Sequence, residues 1–464
     1  MKNMTLANIA KACKGTLCGA VGANGNDAEA TCVVIDSRQM MPGGVFIATK
    51  GERVDGHSFI PQMAEKGALG IVCEKEPQNC AIPYILVEDS FWALKKIAEF
   101  YRQQLTIPVV GITGSVGKTS TKEMIAAVLS EKFCVLKTEG NFNNEVGLPL
   151  TVLRIREEHE VAVVEMGISD FGEMHRLSKV AKPDICVMTN IGQCHLENLG
   201  TREGILKAKS EIFDFMNPKG HVFVNGDDDM LQKVSVKGES SLAHFGMNPE
   251  NEVYASDVMN KGLFGSRAVI HMGLEVFPVE IPLPGAHMVY NALAAASVGK
   301  CLGLTKEQMQ AGIAGVQAVG GRSNVMALSE YTVIDDCYNA NPVSMKAAID
   351  LLSMALGRKV AVLGDMFELG DAERMLHEEV GAYAAEKGID VIVCAGGLSV
   401  HMYEGALSCE REGLMAAQKR EAYYFATRDE MLEKLGGILK HGDNILVKAS
   451  HGMHFEKVVE YLKR

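Results

Sequence analysis

The sequence predicts an α/β protein of three domains. The chain has 464 residues, and at about 150 residues per domain this length favours three domains. Hydrophobic residues make up 47% of the chain and charged residues 22%, so each domain has enough apolar side chains to bury a core. Short apolar runs also alternate with helical patterns, which is typical of βαβ units around parallel sheets.

The first 103 residues are expected to form a small mixed α/β domain, because strand-like runs alternate there with turns of small residues. A helical pattern covers residues 90–100, and a linker is expected around residues 103–107. The predicted strands of this domain lie at residues 32–35, 44–48 and 69–73.

Residues 104–319 are expected to form a central domain with a mainly parallel sheet, since their apolar runs are continuous. The predicted strands of this domain lie at residues 108–113, 161–164 and 185–188. A third domain, residues 320–464, begins at a glycine-rich turn and shows the same alternation. Its predicted strands lie at residues 332–335, 359–364, 391–394 and 444–447.

The overall composition argues against several kinds of partner. Lysine and arginine number 46 against 58 acidic residues, a net charge of −12, whereas binding to nucleic acid or anionic lipid depends on a surplus of cations. The amino terminus lacks the apolar segment of a signal peptide, and no run approaches the ~20 apolar residues of a membrane span. The twelve cysteines form no C-x-x-C pair. We therefore expect a soluble cytoplasmic protein with neither nucleic acid nor membrane insertion.

Residues 111–120, Gly-Ile-Thr-Gly-Ser-Val-Gly-Lys-Thr-Ser, lie between a predicted strand and a helix predicted over residues 122–131. Such a loop binds phosphates through inward-facing amides and a helix N-terminus, while its lysine neutralises phosphate oxygens and the next hydroxyl binds Mg²⁺. Ile112 stands where the strict motif has its first glycine, and a chance Gly-Lys-Thr turn is the alternative. The predicted phosphate-binding residues are Thr113, Gly114, Ser115, Val116, Gly117, Lys118, Thr119 and Ser120.

Glu165 follows an apolar run and is a candidate second ligand for a metal beside the phosphates, since carboxylates at the carboxyl edge of a parallel sheet commonly serve this purpose. An acid after such a run is weak evidence by itself. The chain has no N-K-x-D motif for reading a guanine base, which disfavours a GTP-dependent switch protein.

Several further stretches carry a resemblance to a known family. Together with the phosphate loop and Glu165, they resemble the Mur ligases, and the likeness covers essentially the whole chain. It is looser over the first hundred residues, where residues 36–38 and 51–57 carry it. The more specific stretches are residues 140–150 (GNFNNEVGLPL), 190–195 (NIGQCH), 207–213 (KAKSEIF), 224–228 (VNGDD), 336–342 (DCYNANP) and 363–370 (LGDMFELG).

The last two stretches are similar to the branch of the family that adds D-alanyl-D-alanine to UDP-N-acetylmuramoyl-tripeptide in peptidoglycan synthesis, and the D-N-P-R-type motif of the diaminopimelate-adding branch is absent. The resemblance implies an N-terminal domain for the UDP-muropeptide, a P-loop mononucleotide-binding central domain for ATP, and a Rossmann-like C-terminal domain for the dipeptide. It implies an acyl phosphate intermediate, small-molecule substrates only and, as we expect, a monomer.

The resemblance also implies the catalytic residues Lys118, Glu165, His195 and Lys209. Thr119 and Glu165 would bind one Mg²⁺, and Glu165, His195 and Lys209 a second. The matching lysine of the family is carbamylated by CO₂, and we favour Lys209 over Lys207 by its spacing to Ile212. A solvated Lys209 and a core His195 are the plainer alternatives.

For ATP, the resemblance implies that Asn291 contacts adenine, Arg322 the phosphates and Asp336 the ribose. A surface arginine is the alternative for Arg322, and turn formation is the alternative for Asn339 and Asn341. His451 stands where the family has arginine, which puts a role in binding the acceptor carboxylate in doubt. The implied substrate-binding residues are Ser37, Arg38, Asn141, Asn143, Asn144, Asn339, Asn341, Lys448 and Ser450.

Two other functions stay open from the sequence. The first is a different amide ligase of the same superfamily, such as another Mur ligase or a folylpolyglutamate synthase. The second is a regulatory protein that binds ATP without ligase activity.

Overall fold

We describe the protein from a computed structural model. The structure describes residues 1–19, 28–51, 54–78, 80–236, 238–411 and 421–464. Glu52 and Arg53, part of the 51–57 stretch, therefore lie outside the described residues. The chain forms three sheet-containing α/β domains, and most strands within them are parallel. In the described ranges, no helix is both long enough and apolar enough to cross a bilayer.

The N-terminal domain has a five-stranded sheet of order β1-β5-β4-β3-β2, in which only β1 runs antiparallel to its neighbour. Its strands are β1 (Thr16–Cys18), β2 (Val33–Val34), β3 (Val45–Ile47), β4 (Gly70–Cys73) and β5 (Tyr84–Leu86). Its helices are α1 (Leu6–Ala12), α2 (Ile60–Glu65) and α3 (Ser90–Arg102).

Helix α3 fastens this domain to the central one. The helix begins where the Asp89 side chain accepts a hydrogen bond from the Trp92 amide, a standard N-cap. At its other end, the Tyr101 hydroxyl donates to Ile155 O at 2.6 Å and the Arg102 guanidinium donates to Ala181 O at 2.8 Å. One apolar core cluster accordingly runs through both domains.

The central domain has a nine-stranded sheet of order β14-β13-β12-β11-β10-β9-β6-β8-β7. Its strands are β6 (Val109–Thr113), β7 (Val135–Lys137), β8 (Val161–Glu165), β9 (Ile185–Met188), β10 (His221–Asn225), β11 (Ser241–Gly246), β12 (Val253–Asn260), β13 (Ser266–Met272) and β14 (Glu275–Ile281). Its helices are α4 (Lys118–Ser130), α5 (Gly147–Val152), α6 (Glu173–Ala181), α7 (Leu196–Leu199), α8 (Arg202–Ser210), α9 (His287–Cys301) and α10 (Lys306–Ala314).

Strands β6, β8 and β9 are buried along their whole length, which explains their unbroken apolar sequence. Strands β7, β10 and β11 were not predicted, and two further features differ from the prediction. Helix α4 begins at Lys118, four residues earlier than expected, because Gly117 turns the chain directly into it. Strands β12–β14 form an antiparallel end of the sheet that the sequence analysis did not identify.

The C-terminal domain has a six-stranded sheet of order β15-β16-β20-β17-β18-β19, parallel except for edge strand β15. Its strands are β15 (Asn324–Ala327), β16 (Thr332–Asp335), β17 (Lys359–Gly364), β18 (Val391–Ala395), β19 (Glu421–Phe425) and β20 (Asn444–Lys448). Its helices are α11 (Pro342–Ser353), α12 (Glu373–Glu386), α13 (Ser399–Arg411), α14 (Arg428–Ile438) and α15 (Glu456–Leu462).

Candidate active site

The glycine-rich loop follows β6 and leads into α4, at the carboxyl edge of the central sheet where α/β folds bind their ligands. Gly114 has a φ of +150°, and a Cβ atom there would lie 2.0 Å from Thr189 Oγ1, so no larger residue fits. Gly117 has a φ of +81°, a conformation that favours glycine. The loop geometry therefore depends on both glycines.

Two backbone amides of the loop already donate hydrogen bonds within the protein. The amides of Ser115 and Val116 donate to Asn190 O and Asn190 Oδ1, both at 3.0 Å. The described residues supply no acceptor for the next three amides, which open the helix. A phosphate at this helix N-terminus would therefore be held by the amides of Gly117, Lys118 and Thr119.

Lys118 is partly buried at the mouth of this loop. Its ammonium donates to Gly114 O at 2.8 Å and lies 3.4 Å from Ser115 O. Burial lowers the pKa of the Lys118 ammonium, partly opposed by the nearby Glu165 carboxylate. The Lys118 side chain thus folds back onto the same loop with which it is expected to bind phosphate.

Glu165 ends β8 and is held in place on both carboxylate oxygens. The Thr119 hydroxyl donates to Oε2 and the Asn143 amide donates to Oε1, each at 2.8 Å. The Glu165 backbone amide donates to Thr138 Oγ1 at 3.0 Å. A carboxylate beside a hydroxyl is an oxygen donor set suited to Mg²⁺, so these residues fit the predicted metal. Asn143, predicted to bind substrate, contacts Glu165.

Lys209 is fully buried on α8, and its Nζ has no hydrogen-bond partner among the described residues. Burial lowers the pKa of the Lys209 ammonium to about 8, with a further contribution from the positive charge of Lys118. Lys207 is exposed and lies over the Phe171 ring at 5.9 Å. An unpartnered buried amine of lowered pKa fits a carbamylation site, because CO₂ reacts with the neutral amine.

His195 lies just before α7, and its ring contacts the C-terminal domain. His195 Nδ1 is 2.6 Å from Glu368 Oε2, an ion-pair distance, although the ring is not aligned for a hydrogen bond and Nδ1 has no other partner among the described residues. The sequence analysis named His195 but not Glu368.

Asn291 projects from α9 and is buried. Its Oδ1 accepts a hydrogen bond from Thr121 Oγ1 at 2.9 Å, and its Nδ2 lies 3.3 Å from Met288 Sδ. His287, at the start of the same helix, also faces the site, and burial lowers the pKa of its imidazole.

The C-terminal domain supplies two cations and a carboxylate. The Arg322 guanidinium lies 4.0 Å from the centre of the Tyr338 ring, a cation–π contact. Asp336 accepts from the Ser323 amide at 2.8 Å and from Lys448 Nζ at 2.5 Å. The Lys448 charge is therefore already paired with Asp336.

Asn339, Asn341 and Ser450 also make bonds inside the C-terminal domain. Asn341 caps α11 by accepting from the Ser344 amide at 2.9 Å, and Asn339 Oδ1 lies 3.4 Å from the His451 amide. The Ser450 hydroxyl accepts from the Phe367 amide at 2.9 Å. The Asn341 and Ser450 side chains therefore use part of their hydrogen-bonding capacity within the C-terminal domain.

A cavity of about 690 Å³ lies between the central and C-terminal domains. It brings most of the predicted residues together. Predicted residues that are buried but do not line it are Thr113, Gly114, Thr119, Lys209 and Ser450. Those that line it are Ser115, Val116, Gly117, Lys118, Ser120, Asn143, Asn144, Glu165, His195, Asn291, Arg322, Asp336, Asn339, Asn341 and Lys448.

A second groove, also about 690 Å³, lies between the N-terminal and central domains, and Asn141 and Asn144 line it. Arg156, which was not predicted from the sequence, also lines the groove and donates to Thr31 O at 3.0 Å. Ser37 and Arg38 lie in a short 3₁₀ turn beside the groove. The Arg38 side chain is 86% exposed and pairs with Asp36 at 2.7 Å.

Two residues that were not predicted lie inside stretches that carry the family resemblance. Tyr338 is in the 336–342 stretch and Glu368 in the 363–370 stretch. A motif marks a segment of chain, but the side that each residue faces depends on backbone conformation and on the neighbouring domain.

The fold and site define a protein of three α/β domains in which a phosphate loop faces cations and a carboxylate from a second domain. Residues 29–107 match the Mur ligase family, catalytic domain, residues 112–299 the Mur ligase middle domain, and residues 321–451 the Mur ligase, glutamate ligase domain. The chain belongs to the Mur ligase family.

Several relatives of this chain carry the same name. The UDP-N-acetylmuramoyl-tripeptide–D-alanyl-D-alanine ligase of Bacillus subtilis (strain 168) is 39% identical over 471 residues, covering 100% of this chain and 99% of the relative. A crystal structure of MurF from Acinetobacter baumannii is similar with a TM-score of 0.86 and 31% identity, covering 99% and 98% of the two chains. MurF ligase from Thermotoga maritima in complex with ADP gives a TM-score of 0.80 at 31% identity, covering 93% and 97%.

Proposed function

We propose that this chain uses ATP to join D-alanyl-D-alanine to UDP-N-acetylmuramoyl-tripeptide, forming ADP and phosphate. The observation that carries the proposal is the cavity in which the phosphate loop and Glu165 face Arg322, Asp336 and Asn339. The names of the relatives support the substrates. Free thiols on the eleven cysteines whose side chains are described support a reducing compartment such as the cytoplasm. We also propose a monomer, which light scattering tests.

In the first step, a carboxylate oxygen of the tripeptide attacks the γ-phosphorus of ATP, and the bond to the β-phosphate oxygen breaks to leave ADP. The free amides of the loop and Lys118 hold the phosphates during this transfer. Arg322 contacts the transferred phosphoryl group from the opposite wall of the cavity, Asp336 the ribose, and Asn291 the adenine. All of these residues line the cavity, which supports the proposed roles.

In the second step, the dipeptide amine attacks the acyl carbon, phosphate leaves with the bonding electrons, and the nitrogen loses a proton to give the amide. Asn339, Asn341 and Lys448 are assigned to the dipeptide, and their positions on the lining of the same cavity support this assignment. Ser450 acts by fixing the Phe367 amide rather than by contact with substrate.

Thr119 and Glu165 would hold one Mg²⁺, and Glu165, His195 and carbamylated Lys209 would hold a second. Mg²⁺ bound there supplies positive charge that offsets the repulsion between phosphates and carboxylate. The unpartnered Nζ of Lys209 supports the carbamate, which forms when the neutral amine adds to CO₂ and releases one proton.

The UDP-muropeptide is proposed to bind in the groove between the first two domains. Asn141 and Asn144 line that groove, and Ser37 and Arg38 lie beside it. Asn144 also lines the cavity at the phosphate loop, so one residue borders both binding regions.

We keep the boundaries 1–103, 104–319 and 320–464 for the three domains as part of this proposal, because each sheet lies within one of these ranges.

Phosphate release in the presence of ATP, Mg²⁺ and UDP-N-acetylmuramoyl-tripeptide tests the proposal against a panel of acceptors. We expect turnover with D-alanyl-D-alanine and none with single amino acids. Turnover with a single amino acid but not with the dipeptide would indicate a different amide ligase of the superfamily. ATP binding without ADP formation, when both substrates are supplied, would indicate a regulatory protein.

A further inference from the structure

Glu368 forms a contact between two domains at a predicted metal ligand. It belongs to the segment between β17 and α12, and its carboxylate lies 2.6 Å from Nδ1 of His195 in the central domain. Two residues further on, a Cβ atom on Gly370 would lie 3.8 Å from the Glu197 backbone. The two segments therefore pack together around the His195–Glu368 pair.

Both residues of the pair adopt a left-handed backbone conformation. The φ angle is 52° at His195 and 61° at Glu368. Such an angle is uncommon for glutamate and less so for histidine, and it persists where the surrounding structure enforces it.

The segment that carries Glu368 is anchored to the core of the C-terminal domain. The Met366 amide donates to His377 Nε2 at 3.0 Å, and the Phe367 amide donates to Ser450 Oγ at 2.9 Å. Met366 and Leu369 are buried on either side. Glu368 is thus presented at a fixed position toward the central domain.

A histidine binds a metal through one ring nitrogen when the other carries the proton. A carboxylate at that second nitrogen fixes the tautomer and the ring orientation, and removing such a partner commonly weakens metal binding by about 10- to 100-fold. Glu368 Oε2 lies 2.6 Å from His195 Nδ1. Nδ1 makes no aligned hydrogen bond among the described residues, so Glu368 is the acceptor that it would use once the ring turns into line with the carboxylate.

We propose that Glu368 is a positioning residue that orients His195 for metal binding, so that the second metal site is complete only when the C-terminal domain is docked. This inference rests on the proposed function in that it takes His195 as a metal ligand. It adds that a residue of the dipeptide-binding domain controls a metal site in the ATP-binding domain.

The test measures Mn²⁺ binding to the full-length protein with ADP present, from the electron paramagnetic resonance signal of free Mn²⁺. We expect Glu368→Ala to weaken one Mn²⁺ site by about 10- to 100-fold, and Glu368→Gln to weaken it less. ADP affinity and the thermal midpoint should remain those of the unmodified protein. The matched control is Glu379→Gln, because Glu379 is a half-exposed carboxylate paired with Lys346 in the same domain.

A double-mutant comparison separates positioning from a structural effect. His195→Ala should remove the same Mn²⁺ site, and adding Glu368→Ala to it should cause no further loss. Unchanged Mn²⁺ affinity in Glu368→Ala, or in His195→Ala, would overturn the inference. If the acceptor panel rejects D-alanyl-D-alanine while the two variants still weaken the same Mn²⁺ site, the substrate assignment fails and the role of Glu368 stands.

Discussion

At the scale of the residue, the burial of Lys209 separates it from its neighbour Lys207. With a pKa of about 8, about a tenth of Lys209 side chains are neutral at pH 7, against well under a thousandth for an ordinary lysine. Because protonated amine does not react with CO₂, carbamylation at fixed dissolved CO₂ should increase as the pH rises through 8. Carbon-13 NMR of the metal-free protein with labelled CO₂ measures this.

The matched variants for that experiment are Lys209→Ala, which should lose the carbamate signal, and Lys207→Ala, which should keep it. An unchanged signal in Lys209→Ala would place the carbamate elsewhere.

Activity lost on removing the Lys209 side chain should be partly rescued by a small carboxylate. We expect Lys209→Ala to lower the rate of phosphate release by about 100-fold or more, because losing a metal ligand should cost at least as much as losing a residue that only orients one, about 10- to 100-fold. Added acetate or formate should restore part of the rate, since a small carboxylate can occupy the space of the carbamate. Lys207→Ala, whose side chain is exposed, should match the unmodified enzyme. Equal losses in the two variants would contradict the assignment.

At the scale of the element, the loop between β6 and α4 depends on glycine at position 114. We expect Gly114→Ala to abolish the rise in thermal midpoint caused by ATP, because the added Cβ would meet Thr189 Oγ1 at 2.0 Å and displace the loop. Gly437→Ala in α14 is the control, since a Cβ there meets nothing within 4 Å. It should raise the free energy of unfolding by about 0.5–1 kcal/mol and keep the ATP response.

At the scale of the whole molecule, the two grooves lie at different domain boundaries and should serve different substrates. Asn141→Ala, in the groove beside the N-terminal domain, should raise KM for UDP-N-acetylmuramoyl-tripeptide by about 10-fold, the loss expected for a hydrogen bond of ~1.4 kcal/mol. Its KM for ATP should not change. Arg322→Ala, in the other cavity, should instead lower kcat. Steady-state kinetics measure both, and a common effect on both substrates would contradict separate grooves.

The sequence predicted what depends on local pattern. The buried strands β6, β8 and β9 and the phosphate loop were predicted because unbroken apolar runs and glycine positions are local signals. The β12–β14 hairpins were missed because exposed residues such as Val276 blur their alternation. The Glu368 contact was missed because His195, far away in the chain, meets it only through domain packing.

The side of the fold that each side chain faces was harder to predict than the segment of chain that forms the site. Asn141 and Asn143 were assigned the same role from one stretch, yet Asn141 lines the groove beside the N-terminal domain while Asn143 donates to Glu165. Only the backbone path between them decides which side each residue faces.

The anchoring of α3 restricts how this architecture can be rearranged. Its bonds from Tyr101 and Arg102 to the middle of the chain make the first hundred residues a poor module for exchange between relatives. A chimaera that imports this segment must also import matching partners near Ile155 and Ala181. Recombination between relatives consequently has to preserve two separate stretches of gene rather than one.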